Sequence, residues 1–337
     1  MNILIVGSDT PGALERYCAA ALQSLGHAVA YHDTHTRIAV RSRFRQTPLL
    51  SEAEFALHRR RFNQSLLDRV QAEHPDLVLV FKGVELFAGT LDRLRGLLGR
   101  PLLANWNPDS PFDYATANTN RDIVDAVPHY DVYFIWDRDL VDPLREAGSP
   151  CPAYLPFAYD PAHHFPTEPD SELASEVCFV GGYTPRRADL LARLAREGID
   201  VGLWGTNWHR LDPQSPLTVR GGWTSGVAMS RIFSSAHIVL NVIRPQNGQA
   251  HNMRTFAAPA TRALMLSTRT RDQVAWLPEG AAAAYYETPE EMLAQVRHYL
   301  RDGAARAAAA AGGHRRITAG GHTYLDRMRT LLEVVTG

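Results

Sequence analysis

The sequence predicts an α/β protein built from two doubly wound domains in tandem. Short apolar runs typical of parallel strands alternate with amphipathic helical segments along most of the chain. Near the middle, Pro156, Pro161, Pro166 and Pro169 interrupt this alternation without any periodicity. A length of 337 residues also favours two domains over one.

The first half opens with a strand, a helix and a second strand, which is how a doubly wound domain begins. Residues 77–81 are all apolar, as expected when helices cover both faces of a parallel sheet. The predicted strands of this half are 2–6, 27–31, 76–81, 101–104, 131–135 and 152–155, and the predicted helices are 11–25, 52–73 and 137–147.

A second series of strands and helices follows the Pro-rich stretch and repeats the architecture without repeating the sequence. Its predicted strands are 176–180, 201–204, 237–243, 263–267 and 282–286, and its predicted helices are 185–196, 225–235, 289–301 and 322–335, with an Ala-rich stretch at 303–311. Each half is therefore expected to be Rossmann-like, and the cleft between them is the expected place for a ligand.

The composition is that of an ordinary globular protein, with 45% hydrophobic residues and a formal net charge of -1. This near-neutral charge argues against a dedicated nucleic-acid-binding protein, which would carry a basic excess. The three cysteines, Cys18, Cys151 and Cys178, form no CxxC pair. Disulfides and a cysteine zinc site are therefore not expected, and a reducing compartment is favoured.

Residues 1–7 are apolar, but they lack a basic flank and run straight into a helix pattern. They predict a strand and not a signal peptide. No run of the sequence approaches the roughly twenty apolar residues that a membrane span needs. We therefore expect a cytoplasmic protein without a membrane span.

One strand that leads through a loop into a helix is the main candidate site. An apolar run ends in Asn241 and Arg244, a loop with Asn247-Gly248 follows, and residues 251–260 begin a helix. Such a turn presents backbone N–H groups to an anion. Arg244 and Arg254 flank it, and their forked donors suit phosphate oxygens, although either arginine alone would also suit a surface ion pair. The pattern predicts a diphosphate site.

A second candidate phosphate contact follows strand 176–180. Gly181 and Gly182 allow a close approach of the backbone, and Arg186 comes soon after them. A tight turn between strand and helix is an equally good interpretation of the two glycines. Asn241 has two interpretations as well, since it either contacts a ribose or caps the loop.

The first half offers acceptor-side and catalytic candidates at two strand ends. Lys82 follows strand 76–81, and the loop after strand 101–104 is dense in polar and aromatic residues, including Trp106, Asn107, Asp109 and Asp113. Asp109 is the best candidate for a general base, which an inverting transfer needs within reach of the acceptor hydroxyl. Asp113 is its rival, and a helix cap is the alternative role for Asp109. A retaining enzyme would need no such base.

Nothing in the sequence indicates a cofactor. No HExxH, DxD or His/Cys cluster occurs, so we expect no metal, and His251 is expected to be a loop or cap residue. The turn at 7–12 does not match GxGxxG, which argues against a nicotinamide cofactor.

Several motifs resemble those of the GT-B glycosyltransferases, and most closely those of the spore-maturation CgeB-like group. They are Asn252-Met253-Arg254-Thr255-Phe256, Phe179-Val180-Gly181-Gly182-Tyr183-Thr184-Pro185-Arg186, Glu287-Thr288-Pro289-Glu290-Glu291-Met292, His322-Thr323-Tyr324, Trp106-Asn107-Pro108-Asp109-Ser110-Pro111 and Leu155-Pro156-Phe157-Ala158-Tyr159-Asp160-Pro161. The resemblance covers nearly the whole chain and is strongest in the second half.

The resemblance implies a GT-B fold, with an acceptor domain at 1–158, a linker at 159–172 and a nucleotide-sugar domain at 173–321. Helix 322–337 would pack back on the first domain. The implied activity is metal-independent transfer of a hexosyl or related sugar, in glycan biosynthesis, from a UDP-, GDP- or dTDP-sugar to a small molecule, glycan or protein. The implied donor residues are Gly181, Gly182, Arg186, Asn241, Arg244, Asn252, Arg254, Thr255 and Phe256, and the acceptor side is Lys82, Trp106, Asn107 and Asp113.

One position departs from the resemblance. The group's pattern has Glu after Thr-Phe, and this chain has Ala257, which accepts no hydrogen bond from a sugar hydroxyl. Two alternatives to a glycosyltransferase therefore stay open on the same fold. They are a nucleotide-sugar epimerase or hydrolase, and a non-catalytic protein that binds a nucleotide-sugar or a glycan.

Overall fold

The structure, a computed structural model, describes residues 1–34, 48–114 and 119–337, with only the backbone described for residues 48–53. The described chain forms two compact units. Unit 1 comprises Met1–Pro156 and Tyr324–Gly337, and unit 2 comprises Phe157–Thr323. The chain therefore passes between the units twice, after Pro156 and after Thr323.

The Pro-rich segment 159–172, predicted as a linker, lies within unit 2. Two serine side chains of unit 2 hold its backbone. The Ser234 hydroxyl accepts a hydrogen bond from the Thr167 N–H (3.1 Å), and the Ser235 hydroxyl accepts one from the Asp170 N–H (2.9 Å). The prolines thus interrupt the pattern of helices and strands in this segment, but the segment still belongs to unit 2.

Unit 1 is a parallel six-stranded sheet with strand order β2-β1-β3-β4-β5-β6. Its strands are β1 (Asn2–Gly7), β2 (Ala28–Asp33), β3 (Leu77–Phe81), β4 (Leu102–Asn107), β5 (Val132–Ile135) and β6 (Pro152–Tyr154). Its helices are α1 (Leu14–Ser24), α2 (Pro48–Glu73), α3 (Ala88–Arg95), α4 (Arg121–Ala126), α5 (Val141–Glu146) and α12 (Tyr324–Thr336), with short 3₁₀ turns at Val127–His129 and Arg138–Leu140.

The core of unit 1 lies along its central strands. β3 is buried along its whole length, as the unbroken apolar run predicts for a strand covered on both faces. The C-terminal helix α12 completes this unit, because the Tyr324 ring stacks on Tyr17 of α1 with centroids 5.4 Å apart. On the same helix, the Arg327 Nε donates a hydrogen bond to the Pro156 carbonyl (2.9 Å), at the end of the first segment of unit 1.

Unit 2 is a second parallel six-stranded sheet with strand order β12-β11-β10-β7-β8-β9. Its strands are β7 (Ser175–Val180), β8 (Val201–Trp204), β9 (Val219–Gly221), β10 (Ala236–Asn241), β11 (Leu264–Thr268) and β12 (Ala284–Tyr286). Its helices are α6 (Pro185–Arg196), α7 (Gly226–Ser235), α8 (Arg254–Ala260), α9 (Arg271–Trp276), α10 (Pro289–Arg301) and α11 (Gly303–Ala319), with 3₁₀ turns at Trp208–Arg210 and Pro245–Asn247.

The strand orders place one topological switch point in each unit. In unit 1 the order reverses between β1 and β3, and in unit 2 it reverses between β7 and β10. Open α/β sheets bind ligands beyond the carboxyl ends of the strands at this point, because the loops on either side diverge there. The residues after β7 and β10, and those after β1 and β3, are therefore the first places to look for a site.

Every strand predicted from the sequence is present, with ends displaced by at most a few residues. The elements that periodicity did not predict are short: β9, α3, α4 and α9. The Ala-rich stretch is part of a longer helix, α11, which continues through Gly312 and Gly313. No helix among the described residues is long and apolar enough to cross a membrane.

Gly312 and Gly313 lie where α11 packs directly against the segment before β12. A Cβ atom on Gly312 would lie 1.9 Å from the Ala281 carbonyl oxygen, and one on Gly313 would lie 2.4 Å from the Ala282 oxygen. In both cases the added atom would clash with a backbone carbonyl oxygen, and that oxygen cannot move aside unless the whole segment moves. Glycine at these positions therefore allows a close helix-to-backbone approach.

We predict that Gly312→Ala lowers the free energy of unfolding by about 3 kcal/mol, because overpacking against backbone forces α11 away from its contact. Intrinsic helix propensity alone predicts the opposite sign, since Ala stabilises a helix over Gly by about 1 kcal/mol. Urea denaturation of both proteins measures the difference. The matched control is Gly303→Ala on the same helix, where only the flexible Arg306 side chain lies nearby, and a loss of similar size there would contradict the prediction.

Candidate functional site

The loops after β7 and β8 approach each other closely at the switch point of unit 2. Gly205 has φ 148°, and a Cβ atom there would lie 1.9 Å from the Gly181 carbonyl oxygen. The same oxygen accepts a hydrogen bond from the Trp208 Nε1 (2.8 Å). The backbone at Gly181 is therefore fixed from two sides, which leaves little freedom in the first turn after β7.

Arg254, at the start of α8, reaches this turn. A Cβ atom on Gly181 would lie 3.5 Å from the Arg254 Nη2, so the guanidinium lies directly against the glycine. The Arg254 Nε is buried and has no hydrogen-bond partner among the described residues. Burial, together with the nearby charge of Arg244, lowers the pKa of Arg254 to about 10. The charged side chain is thus held in an environment that opposes its charge.

Arg187 is a third arginine at this point, and sequence reasoning missed it. Its side chain is 5% exposed. It donates hydrogen bonds to the Gly182 carbonyl (Nη1, 3.0 Å) and to the Val242 carbonyl (Nη2, 3.2 Å), so it links the ends of β7 and β10. Burial and the charges of Arg254 and Arg244 lower the pKa of Arg187 to about 9.

Arg186, which the sequence suggested as the phosphate contact, lies exposed at the surface of α6. The phase of the helix explains the difference. Thr184 caps α6 by accepting a hydrogen bond from the Arg187 N–H, and Pro185 is the first helical residue. With the start of the helix fixed in this way, Arg187 faces inward and Arg186 faces outward. The cap at Thr184-Pro185 was the signal that identifies Arg187.

The three arginines form a positive cluster, which we define as Arg187, Arg244 and Arg254. Each raises the cost of charging another, and no carboxylate contributes to the pKa of either Arg187 or Arg254. Arg244 is exposed and the other two are at least partly buried. In the described part of the chain, no Asp or Glu forms an ion pair with any of the three. The described residues supply no carboxylate to balance the three positive charges, and a bound anion would balance them.

The side chains of Asn241 and Asn252 pair with each other and hold the loop between β10 and α8. The Asn252 Nδ2 donates to the Asn241 Oδ1 (2.8 Å), and the Asn241 Nδ2 donates to the Asn252 Oδ1 (3.3 Å). The Asn252 Oδ1 also accepts from the Thr255 N–H (3.2 Å). Asn241 is buried, so its loop-capping role is the one the geometry shows.

Gln273 of α9 is the centre of this network. Its Oε1 accepts hydrogen bonds from the Ser267 hydroxyl (2.9 Å), the Thr255 hydroxyl (3.1 Å) and the Asn241 Nδ2 (3.3 Å). Its Nε2 donates to the Thr268 carbonyl (2.9 Å) and to the Thr270 hydroxyl (3.0 Å). The buried Gln273 amide therefore joins β10, α8 and β11 through hydrogen bonds, and α8 carries Arg254 of the positive cluster.

Two further predictions for the motif need correction. Phe256 is fully buried and packs on His251, Trp276 and His322, so its ring belongs to the core and not to a ligand surface. Helix α8 has only seven residues, and its early N–H groups at Thr255 and Phe256 already bond to the Asn252 and Met253 carbonyls. An anion at this point would therefore be held by guanidinium groups and not by a helix N-terminus.

His251 has the loop role expected of it. Its imidazole is fully buried, and its Nε2 accepts a hydrogen bond from the Phe157 N–H (3.1 Å). Its Nδ1 lies 3.7 Å from the Asp272 carboxylate. The histidine thus fixes the loop before α8 to the first residue of unit 2.

In unit 1, the acceptor-side candidates at the carboxyl ends of β3 and β4 divide into two groups. The Lys82 Nζ lies 2.9 Å from the Asp109 carboxylate, and both side chains are partly exposed. The Asn107 side chain is buried, accepts from the Asp109 N–H (3.0 Å) and donates to the Tyr133 hydroxyl (3.0 Å). Lys82 and Asp109 therefore face outward together, while Asn107 supports the loop from below.

Trp106 does not lie on the acceptor side as predicted. Its side chain is fully buried between the Phe81 and Tyr324 rings. Asp113 is partly exposed beyond the same loop. Asp109 does not cap the next helix, because Asn120 accepts the capping hydrogen bond at the start of α4.

Among the described residues, no group of three or more His, Cys, Asp or Glu side chains has the arrangement of a metal site. The structure therefore identifies no residues that would hold a metal ion, and metal independence stays a prediction.

Comparison with known proteins supports the interpretation of unit 2. A glycosyl transferase-like family model matches residues 186–333. This range includes the inward-facing Arg187 and both arginines of the predicted motif. A comparison with curated protein sequences finds no match.

Solved structures resemble the whole chain. The crystal structure of HepE from Anabaena in complex with UDP is 11% identical with a TM-score of 0.67, and the alignment covers 100% of both chains. Its complex with UDP-glucose is 12% identical with a TM-score of 0.71, covering 100% of this chain and 99% of that one. Sucrose-phosphate synthase from Thermosynechococcus elongatus is 11% identical with a TM-score of 0.71, covering 100% and 98%. These likenesses confirm the α/β, GT-B fold class.

We predict that Gln273→Met destabilises the protein by about 2–4 kcal/mol, because it leaves buried donors and acceptors of the network unpaired. Methionine has a similar volume, so the loss reports hydrogen bonding more than packing. Thermal and urea denaturation measure it. Gln214→Met, at an exposed position of unit 2, is the matched control and should change stability by less than about 0.5 kcal/mol. Equal effects of the two substitutions would show that the Gln273 network is not a stabilising feature.

Proposed function

We propose that the protein is a glycosyltransferase that moves a sugar from a nucleoside diphosphate sugar to an acceptor hydroxyl. The observation that carries this proposal is the positive cluster of Arg187, Arg244 and Arg254 at the switch point of unit 2. The glycosyl transferase-like match over the same unit supports it. The further resemblance to the CgeB-like group is part of the proposal and rests on the motif residues alone.

Unit 2 would bind the diphosphate of the donor. Arg254 lies against Gly181, and its guanidinium would contact phosphate oxygens from one side. Arg244 is exposed and would contact them from the other side. Breaking the sugar–phosphate bond increases the negative charge on the leaving diphosphate, and preorganised cations stabilise that charge most where water is excluded. The charge repulsion within the cluster would then fall when the donor binds.

Arg187 would hold the backbone of the site in place as well as contribute positive charge toward the phosphate. Its two hydrogen bonds hold the Gly182 and Val242 carbonyls, so it fixes the distance between the ends of β7 and β10. Asn241, Asn252 and Thr255 would hold the loop in the same way. Their contacts are with each other and with Gln273, which makes them supports of the site.

Unit 1 would bind the acceptor at the loops after β3 and β4, where Lys82, Asp109 and Asp113 are partly exposed. The chemical identity of the acceptor follows from none of these side chains. UDP is the first donor nucleotide to test, because HepE has been crystallised with UDP and with UDP-glucose. We propose that transfer needs no metal ion, so that activity should persist in EDTA.

A second function is favoured by one observation. Ala257 is buried on α8 and offers no side-chain oxygen where the related pattern has Glu. A protein that binds a nucleotide-sugar without transferring the sugar would tolerate this loss. Calorimetry with UDP-, GDP- and dTDP-sugars, followed by assays of transfer and hydrolysis, separates the two. Binding without turnover across a panel of acceptors would favour the binding protein, and no binding of any nucleotide would refute both.

We predict that Arg254→Gln weakens binding of the nucleoside diphosphate by about tenfold or more, as expected for the loss of a charge-assisted contact. Calorimetric titration with UDP measures the dissociation constant. The stability of the free protein should be unchanged or higher. Because the pKa of Arg254 is lowered in the folded state, its charge costs stability at neutral pH, and glutamine removes that cost.

The matched control is Arg196→Gln, an exposed arginine at the end of α6 in the same unit. It changes the net charge by the same amount and should leave affinity within about twofold, because long-range charge effects are screened at physiological salt. Equal affinities of Arg254→Gln and the unmodified protein would remove Arg254 from the phosphate site.

A further inference from the structure

Glu15 is a carboxyl group at the switch point of unit 1 that the acceptor-side candidates do not include. It lies in the first turn of α1, and its side chain lies against the end of β1. A Cβ atom on Gly7 would lie 2.8 Å from the Glu15 Cγ, so only glycine leaves room for this side chain. The Ser8 N–H donates a hydrogen bond to the Glu15 Oε1 (3.1 Å), which fixes the carboxyl group at the start of the loop after β1.

The neighbouring strand of the switch point contributes the charges around Glu15. Burial is the main cause that raises the pKa of Glu15, and the nearby Glu85 raises it further, while the Ser8 hydrogen bond and Lys82 lower it. Glu85 lies after β3 as well, and burial also raises its pKa. Lys82, whose charge acts on both carboxyl groups, has a left-handed backbone with φ 64°. A non-glycine residue in that conformation is strained, and such strain gathers at functional sites.

Glu15 and Asp109 differ in the partner that each carboxylate has. The Asp109 carboxylate lies 2.9 Å from the Lys82 ammonium. Glu15 forms no ion pair with the residues of the described ranges and accepts a backbone N–H on one oxygen. A general base must be within reach of the substrate proton, and it works best when its pKa is close to the working pH. At Asp109 the lysine ammonium occupies the carboxylate that would have to meet the substrate proton.

We propose that the Glu15 carboxylate is the general base that takes the proton from the acceptor hydroxyl. This proposal rests on the proposed function. The acceptor O–H proton passes to a carboxylate oxygen of Glu15, and the freed electron pair of the hydroxyl oxygen forms the bond to the anomeric carbon of the donor. The bond from that carbon to the phosphate oxygen breaks, and its electron pair leaves on the diphosphate. One direct displacement of this kind inverts the anomeric configuration.

Glu15→Gln is the principal test. The amide still accepts the Ser8 N–H hydrogen bond but takes no proton from a hydroxyl. We expect kcat to fall about 10²–10⁴-fold, the range that general base catalysis contributes, with UDP affinity unchanged because the donor site lies in unit 2. Glu146→Gln, an exposed glutamate of unit 1, is the matched control and should leave kcat unchanged. Asp109→Asn is the rival variant, and a larger loss of kcat there would overturn the assignment.

Stability distinguishes a catalytic role from a structural one. Because the pKa of Glu15 is raised on folding, the folded protein loses stability as the pH rises through the window from the unfolded value to the raised value. At neutral pH the ionised carboxylate therefore costs stability, and glutamine removes that cost. We expect the melting temperature of Glu15→Gln to be unchanged or higher, whereas a structural glutamate would give a lower one.

The pH profile gives a further readout. The base must be ionised, so kcat/KM of the unmodified enzyme should decline as the pH falls through the raised pKa of Glu15. The residual activity of Glu15→Gln should lack that decline. Lys82 and Glu85 face the same carboxyl group, and their charges shift the position of the decline without replacing it.

Gly7→Ala tests the geometry with Glu15 left in place. The new Cβ atom would displace the glutamate side chain, so kcat should fall at unchanged UDP affinity. Gly89→Ala on α3, where nothing lies within 4 Å of the added atom, is its control. A product that retains the anomeric configuration, or an unaltered kcat of Glu15→Gln, would refute the role of Glu15 while leaving the glycosyltransferase proposal intact. Failure of the unmodified protein to bind any nucleotide would instead refute the proposed function.

Discussion

Electrostatic repulsion among Arg187, Arg244 and Arg254 is the cost that the structure of unit 2 has to accommodate. Burial and mutual charge lower the pKa of Arg187 and of Arg254, so keeping both charged costs folding free energy. Proteins usually reduce such a cost by placing a carboxylate beside the guanidinium. Here the described residues supply backbone carbonyls to Arg187, and the charge itself stays uncompensated. A bound anion would supply the compensation that the described residues do not.

The elements around the cluster are held in place by a network of buried hydrogen bonds. β10 is buried at its carboxyl end, and the Gln273 amide joins it to α8 and β11 through hydrogen bonds that no solvent reaches. The close approach of Gly205 to Gly181 fixes the turn after β7, against which Arg254 lies. Because buried hydrogen bonds are costly to leave unmade, the backbone that carries Arg254 cannot move away from Gly181 without breaking several of them. The same network explains why Asn241 at the end of β10 faces Asn252 and Thr255 of the motif.

The sequence predicted the architecture well because strand periodicity and strand-end loops are local signals. The β-α series, Arg244 and Arg254 followed from such signals, and the fold class is confirmed. Side-chain direction was the weaker part, since it depends on tertiary packing. Arg186 and Arg187 differ only by the phase of α6, and Trp106 and Phe256 are aromatic residues of motifs that face the core. Glu15 was invisible in the sequence, because its position against Gly7 results from folding α1 onto β1.

The two switch points carry opposite charge, and this difference matches the chemistry of glycosyl transfer. At the switch point of unit 2, cations without carboxylates favour a leaving group that becomes more negative. At the switch point of unit 1, Glu15 and Glu85 are desolvated carboxyl groups near one lysine, an environment that favours proton uptake. Ala257 offers no side-chain oxygen in unit 2 and alters neither of these charges. Under the proposed function, donor selection is the property that this position would affect, since the groups proposed for bond breaking and proton transfer lie elsewhere.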